Sequence, residues 1–437
     1  MSQSRMAAAA LLALGVAACS DQPSAPSSEP RPEPIALQQQ QEQVVPGEIL
    51  IKMKDGISLD VLTGRTQGLR LERRLAATSR IAVLGVTPGN ERAEAARLSA
   101  DPRVEYAEPN YIRRINAIDP ALWAFYNPGG RQARFNTSPY NYLPSGYTSI
   151  TDADQDNIEN IGGGGSQVVI GSLDTGADTD HPELVGKLIL GWDWVNSDAL
   201  PEDDNGHGTH TIGTMVGTNV GVAGITGAGT NVQVHVQKVC TSTGSCPTSG
   251  IVSAIYAAAD YPGMVAMNLS ISGSSISQAE VDAINYAVNT KGVLVIASAG
   301  NGNTNVVGCP ACDGNAISVS ATNWRDARAY YSQYGSGLDI SAPGGELYSN
   351  TTNEMGIISS YLNGGYAYLQ GTSMAAPQVT GAAGVVASKT GLTGAALRTR
   401  LQSTADDKGA LGYDIVFGNG RLNVYRAITT LTLPYPQ

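Results

Sequence analysis

The chain has 437 residues, of which 27 are Lys or Arg and 38 are Asp or Glu, for a net charge of −11. Such a surplus of acid argues against nucleic acid and anionic membranes as partners and favours solubility. The length leaves room for two domains with a large core, and 51 glycines with only 6% aromatic residues suit a loop-rich α/β fold.

Residues 1–19 read as an address rather than as structure. Arg5 is followed by an apolar stretch, Met6 to Ala18, that is too short to span a bilayer. It ends in Val16-Ala17-Ala18-Cys19, which resembles a bacterial lipobox with Cys19 as the lipidated residue. An ordinary signal peptide with a chance cysteine is the plainer alternative. Residues 20–45, rich in Pro, Ser, Glu and Gln, read as a solvated tether.

From 46 to 115 the pattern changes to a small α+β unit. Gly47 to Met53 alternates like an edge strand, Arg80 to Val86 gives a second strand, Asn90 to Ser99 a short helix, and Val104 to Asn110 a third strand. The pair Arg113-Arg114 is common at a solvated strand end and takes no role from sequence alone.

Four blocks further along carry chemistry. Val168 to Leu173 is a β-branched run that reads as a buried strand and delivers Asp174-Thr175-Gly176 at its C-terminal end. Asn205-Gly206-His207-Gly208-Thr209-His210 opens a segment rich in small residues. Gly292 to Ala297 reads as another buried strand, ending in Ser298-Ala299-Gly300-Asn301. Gly371-Thr372-Ser373-Met374-Ala375-Ala376-Pro377 places a serine at a helix N-terminus, whose N–H groups favour an anion. Each block has a bland reading: Ser and Thr cap helices, and Asn-Gly pairs make turns. A serine hydroxyl becomes a nucleophile only beside a base, for which histidine is suited, and a buried carboxylate can fix the imidazole tautomer.

In the order Asp, His, Ser, these blocks resemble the subtilisin-like serine proteases, the subtilases, over Asp119 to Ala427. The resemblance implies a serine endopeptidase in which Asp174 orients the imidazole, His207 is general base and then acid, and Ser373 attacks the scissile carbonyl. Asn301, with the Ser373 N–H, would form the oxyanion hole. The implied fold is a doubly wound parallel α/β sheet with flanking helices over 116–437. The unit at 46–115, ending Val104-Glu105-Tyr106-Ala107-Glu108-Pro109-Asn110-Tyr111, resembles the subtilase propeptide, an intramolecular inhibitor cut off somewhere between Tyr111 and Pro120. The alternative is an accessory domain that is never removed.

Protein or peptide substrates would bind as extended strands between two edges, one at Ile271, Ser272 and Gly273, the other near Gly244 and Ser245. Ala299 and Gly300 would complete a small, uncharged first pocket, so a broad, apolar-leaning specificity is expected. Cys240, Cys246, Cys309 and Cys312 allow three disulfide pairings, of which the local ones, 240–246 and 309–312, are simplest in an exported chain. The chemistry requires no cofactor. The resemblance implies at most a structural calcium, with Glu183 at the matching carboxylate position, although Thr218 to Gly221 is short for it. Asp152, Asp154 and Asp156 alternate, but Asn157 and Gly163 break a calcium-loop pattern.

Competing readings fare worse. An aspartic protease needs a second Asp-Thr-Gly or Asp-Ser-Gly, and none follows. His207 and His210 as metal ligands lack the Glu between them that a zinc helix carries. A catalytically silent, peptide-binding relative would keep the fold but not depend on Ser373. His181, His210 and His235 read as structural, Gln378 as a helix residue behind Ser373. The enzyme is expected to be an exported monomer that meets a membrane only through a lipid on Cys19.

Overall fold

The computed structural model describes residues 43–63, 69–76, 79–115, 164–218, 224–226, 230–323, 325–347 and 356–429. The expected leader with Cys19, most of the tether and the acidic run at 152–156 lie outside them.

The N-terminal unit runs β1 (Val44–Met53), α1 (Asp60–Thr63), β2 (Arg70–Arg74), β3 (Ile81–Gly85), α2 (Glu91–Ser99) and β4 (Val104–Ile115). β1 pairs antiparallel with both β3 and β4, and β2 lies outside β3. The expectation of an edge strand at Gly47–Met53 is therefore wrong, since β1 is central. Alternation misled because both faces are covered. Ile49, Ile51 and Met53 pack with Leu84, Leu98 and Val104 on one side, while Leu50 joins a core shared with Ile251 and Ile255 on the other. The polar residues of that second face are contacts as well: Glu48 accepts from the Asn110 amide at 2.7 Å, and Lys52 pairs with Asp282 at 2.5 Å.

The second unit follows as β5 (Gly164–Asp174), β6 (Leu188–Asp193), α3 (His207–Val216), β7 (Thr230–Lys238), β8 (Ser245–Pro247), α4 (Thr248–Ala259), β9 (Met264–Leu269), β10 (Ile271–Ser272) and α5 (Gln278–Asn285). A π-helical turn, Tyr286–Thr290, leads into β11 (Leu294–Ser298), β12 (Ile317–Thr322) and β13 (Ile340–Pro343). A hairpin, β14 (Ile357–Tyr361) and β15 (Gly365–Leu369), precedes α6 (Thr372–Thr390), α7 (Gly394–Ser403) and α8 (Val424–Thr429). Seven strands form a parallel sheet in the order β13-β12-β11-β9-β5-β7-β6. Chain order reverses direction at β5, whose C-terminal end is thus the crevice where such sheets bind ligands. Helix α6 is buried along most of its 19 residues and crosses the sheet closely. At Gly384 a Cβ would stand 3.0 Å from both Ile170 Cγ2 and Val232 Cγ1, so a larger residue would push the helix off the sheet.

The two units dock through helix ends. The first N–H groups of a helix lack internal partners. Glu108 accepts the N–H groups of Gln278 and Ala279, both at 3.0 Å, at the start of α5. Asn110 accepts the Ser249 N–H at 3.0 Å, at the start of α4. Burial pushes the Glu108 pKa up, against the two N–H groups that pull it down. Glu108→Ala should lower the stability of the full-length chain by about 1 kcal/mol, the usual worth of a cap. Calorimetry would register this as a lower Tm, whereas an unchanged Tm would mean that water caps α5 equally well.

Candidate active site

Asp174 closes β5, and its Oδ1 accepts from His207 Nδ1 at 2.7 Å and from the Thr175 N–H at 2.7 Å. Thr211 Oγ1 approaches the other oxygen at 3.4 Å. His207 is the first residue of α3 and is fully buried. What puts it there is Asp203. Its carboxylate gathers five donors: Thr175 Oγ1, the N–H groups of Asn205, Gly206 and Thr209, and Thr209 Oγ1. One side chain thereby ties the turn after β5 to the start of α3. Sequence reasoning missed Asp203, although an Asp four residues before a helix-opening His is the local signal of such a cap.

Ser373 is the second residue of α6. Its Oγ donates to the Ser270 carbonyl at 3.1 Å, and Ser270 Oγ donates back to the Ser373 carbonyl at 2.9 Å. The second bond answers a defect in the helix. Pro377 has no N–H to give to the carbonyl four residues earlier, so Ser270 supplies the donor. His207 Nε2 is buried with no hydrogen-bond partner among the described residues. Asn301 follows β11, and its Oδ1 accepts from the Thr372 N–H at 3.0 Å and Thr372 Oγ1 at 2.9 Å. That pins the carboxamide by its oxygen and turns Nδ2 away from Thr372.

The cleft leading to Ser373 is filled by the chain's own strand. β4 lies between β8 and β10, antiparallel to both, with Arg114 opposite Ser245 and Ser272 and Ile115 opposite Ile271. Ser245, Ile271 and Ser272, which sequence assigned to an extended substrate, here pair with the backbone of β4. Gly273 lies against Arg113, its Cβ position 2.9 Å from Arg113 Cδ. Gly244 instead makes the turn before β8, bonded to the Thr241 carbonyl. Ala299 bonds to Val319 and Gly308, and Gly300 to Thr372 Oγ1, and neither pairs with β4. Both disulfides are local, Cys240–Cys246 and Cys309–Cys312. Each braces one edge: Cys246 belongs to β8, and Cys309 exchanges two backbone bonds with Gly273.

The remaining histidines have structural partners. His181 Nε2 meets the Gly365 carbonyl at 2.8 Å, His210 Nε2 meets the Ile357 carbonyl at 3.0 Å, and His235 stacks on Tyr261 at 4.3 Å. Gln378 donates to the Pro343 carbonyl, behind Ser373. Among the described residues no three His, Cys, Asp or Glu side chains converge on a metal site. Glu183, the carboxylate matched to calcium, accepts from Tyr366 at 3.0 Å and Thr218 at 3.4 Å. Residues 219–223 of the loop expected to share that site lie outside the described residues, and no step below passes through a metal.

The subtilase family pattern matches residues 165–420, and the fervidolysin N-terminal prodomain pattern matches residues 30–110. A thermophilic serine proteinase of Bacillus sp. (strain AK1) is 33% identical over 394 residues, 88% of this chain and 88% of that protein. Thermitase of Thermoactinomyces vulgaris is 36% identical over 264 residues, 60% of this chain and 89% of its own length. The crystal structure of fervidolysin from Fervidobacterium pennivorans superposes with a TM-score of 0.66 at 24% identity, covering 90% of this chain and 62% of that one, a likeness of fold. The chain belongs to the subtilase family. It is a serine endopeptidase preceded by a fervidolysin-like prodomain.

Two expectations follow. Asp203→Ala strips five donors of their acceptor and lets α3 drift, and a misplacement of about 1 Å can cost about 100-fold in rate. Its kcat/KM on casein should fall by at least that order, and near-wild-type turnover would remove Asp203 from the positioning of His207. Burial, the largest cause, holds the His210 pKa down at about 3 and that of His235 at about 4. Unfolded imidazoles take up a proton below about pH 6.5, so stability from these sites is present above that value and lost as pH falls toward 3. Between about pH 7 and 4 the Tm should decline, and the decline should be shallower in His210→Gln.

Proposed function

We propose that the chain is an exported, self-processing zymogen whose peptidase chemistry runs through Asp174, His207 and Ser373. The observation that carries this reading is the pairing of Ile115, at the end of β4, with Ile271, the neighbour of the Ser270 carbonyl that accepts from the Ser373 hydroxyl. The Ser373 hydroxyl turns about its Cα–Cβ bond from the Ser270 carbonyl toward His207 Nε2, which takes its proton as Oγ attacks the scissile carbonyl. Asp174 holds the Nδ1 proton and stabilises the imidazolium. The tetrahedral oxyanion is met by Asn301 Nδ2 and the Ser373 N–H. Losing one such donor costs about two to three orders of magnitude in turnover. The imidazolium then protonates the leaving amine, and water repeats the sequence on the acyl-enzyme.

The register supports a particular bond. β4 ends at Ile115 opposite Ile271, one residue from the Ser270 carbonyl that holds the nucleophile. We therefore propose a cut between Asn116, the next residue in sequence, and Ala117, outside the described residues and inside the expected Tyr111–Pro120 interval. The first pocket, walled by Ser272, Gly273 and Ala297 to Gly300, suits small or apolar side chains. Two disulfides fit an oxidising compartment. With Cys19 lipidated, the cut would leave the anchor on the prodomain and free the catalytic monomer. Calcium, where bound, would serve stability only.

Intact mass and N-terminal sequencing of the wild type beside Ser373→Ala test the reading. The wild type should yield a product beginning at Ala117, and the variant should stay uncut. Two full-length proteins, or equal processing of both, would sink it.

A further inference from the structure

Arg113 is 1% exposed and Glu280 is fully buried, yet the two form an ion pair at 2.8 Å. Arg113 Nε and Nη2 reach the two Glu280 oxygens at 3.1 and 2.8 Å, a fork-to-fork pair. Arg113 lies on the strand that occupies the cleft, opposite Cys246 of β8. Glu280 sits at the third position of α5, where it also accepts the Ser277 N–H at 3.0 Å in a capping box. Gly273 leaves room for the arginine stem, since a Cβ there would meet Cδ at 2.9 Å and Nη1 at 3.1 Å. A carboxylate, a glycine-cleared passage and a helix start thus form a socket around one guanidinium.

We propose that Glu280 is a specificity-determining residue, and that this enzyme selects substrates with arginine three places before the residue whose carbonyl is attacked. The proposal rests on the endopeptidase reading above. Once the prodomain tail has left, Glu280 keeps the Ser277 N–H but loses its guanidinium, and a carboxylate left without its positive partner in a protein-lined wall is unfavourable. A substrate arginine at that register restores both bonds, whereas leucine leaves the carboxylate unpaired and glutamate adds repulsion. Sites that demand a polar partner discriminate more sharply than apolar pockets do. The uncharged first pocket therefore sets less of the selectivity than this more distant one, and the otherwise ordinary Arg113-Arg114 pair gains a role at its first member.

The test uses quenched fluorescent peptides spanning 111–120 of the chain, Tyr-Ile-Arg-Arg-Ile-Asn-Ala-Ile-Asp-Pro, with Arg, Leu or Glu at the position of Arg113. Wild-type enzyme processed from the full chain should prefer Arg over Leu by about tenfold or more in kcat/KM, the scale of a desolvated charge pair. In Glu280→Gln the ratio should fall to near one. Glutamine also serves a capping box, so α5 keeps its start. A wild-type ratio near one, or one that Glu280→Gln leaves intact, overturns the proposal. If the processed protein cuts casein but shows no Arg preference, the inference fails and the endopeptidase reading stands. If it cuts nothing, that reading fails, and the socket is judged on the uncut Ser373→Ala chain. There trypsin should cut after Arg113 about tenfold faster when Glu280→Gln is added, and an unchanged rate overturns the socket as well.

Discussion

The pairing of one extended backbone between two short edges is the constraint on which the rest of the molecule depends. β8 and β10 contribute three and two residues, too few to stand alone as a sheet. They hold shape because each is braced from behind, one by Cys240–Cys246 and the other by the exchange between Gly273 and Cys309. With β4 between them they become a ladder continuous with the N-terminal sheet. On the reading proposed above, inhibition and substrate recognition would use the same backbone donors and acceptors, which cannot serve both at once.

Behind the cleft, precision comes from satisfied buried polar groups rather than from apolar packing. Asp203 organises the histidine helix, Asn301 is pinned by Thr372, and Ser270 makes good the donor that Pro377 removes. Each lies where a backbone irregularity leaves a group needing a partner, and each irregularity lies beside a residue of the proposed triad or oxyanion hole. The two arginine–glutamate hydrogen bonds and the two helix caps from Glu108 and Asn110 extend the same logic across the docking surface.

How much of this was legible in sequence depends on how local the signal is. Asp174, His207, Asn301 and Ser373 each stand at the end of a strand or the start of a helix, so a few flanking residues announce them. Of the parallel strands, β5 and β11 were readable as apolar, β-branched runs because the paired parts of both are buried. The local disulfides were equally plain. β1 was misplaced as an edge because alternation reports polarity, and here the polar face meets another unit instead of water. β2, reading Arg70-Leu71-Glu72-Arg73-Arg74, escaped notice because its charged positions look like a solvated loop. Glu280 and Arg113 are 167 residues apart, and no periodicity connects them. Only the register of β4 in the cleft brings them together.

The tail strand is covalently continuous with the sheet that presents it, and this has a consequence for how latency ends. Before any cut, the inhibitor is tethered, and its effective concentration at the cleft does not change when the protein is diluted. Were the chain severed beyond β4, as proposed, the same contacts would hold two separate pieces that obey mass action. Activity would then appear on dispersal: crowded near its source the enzyme stays silent, and it wakes as it diffuses away.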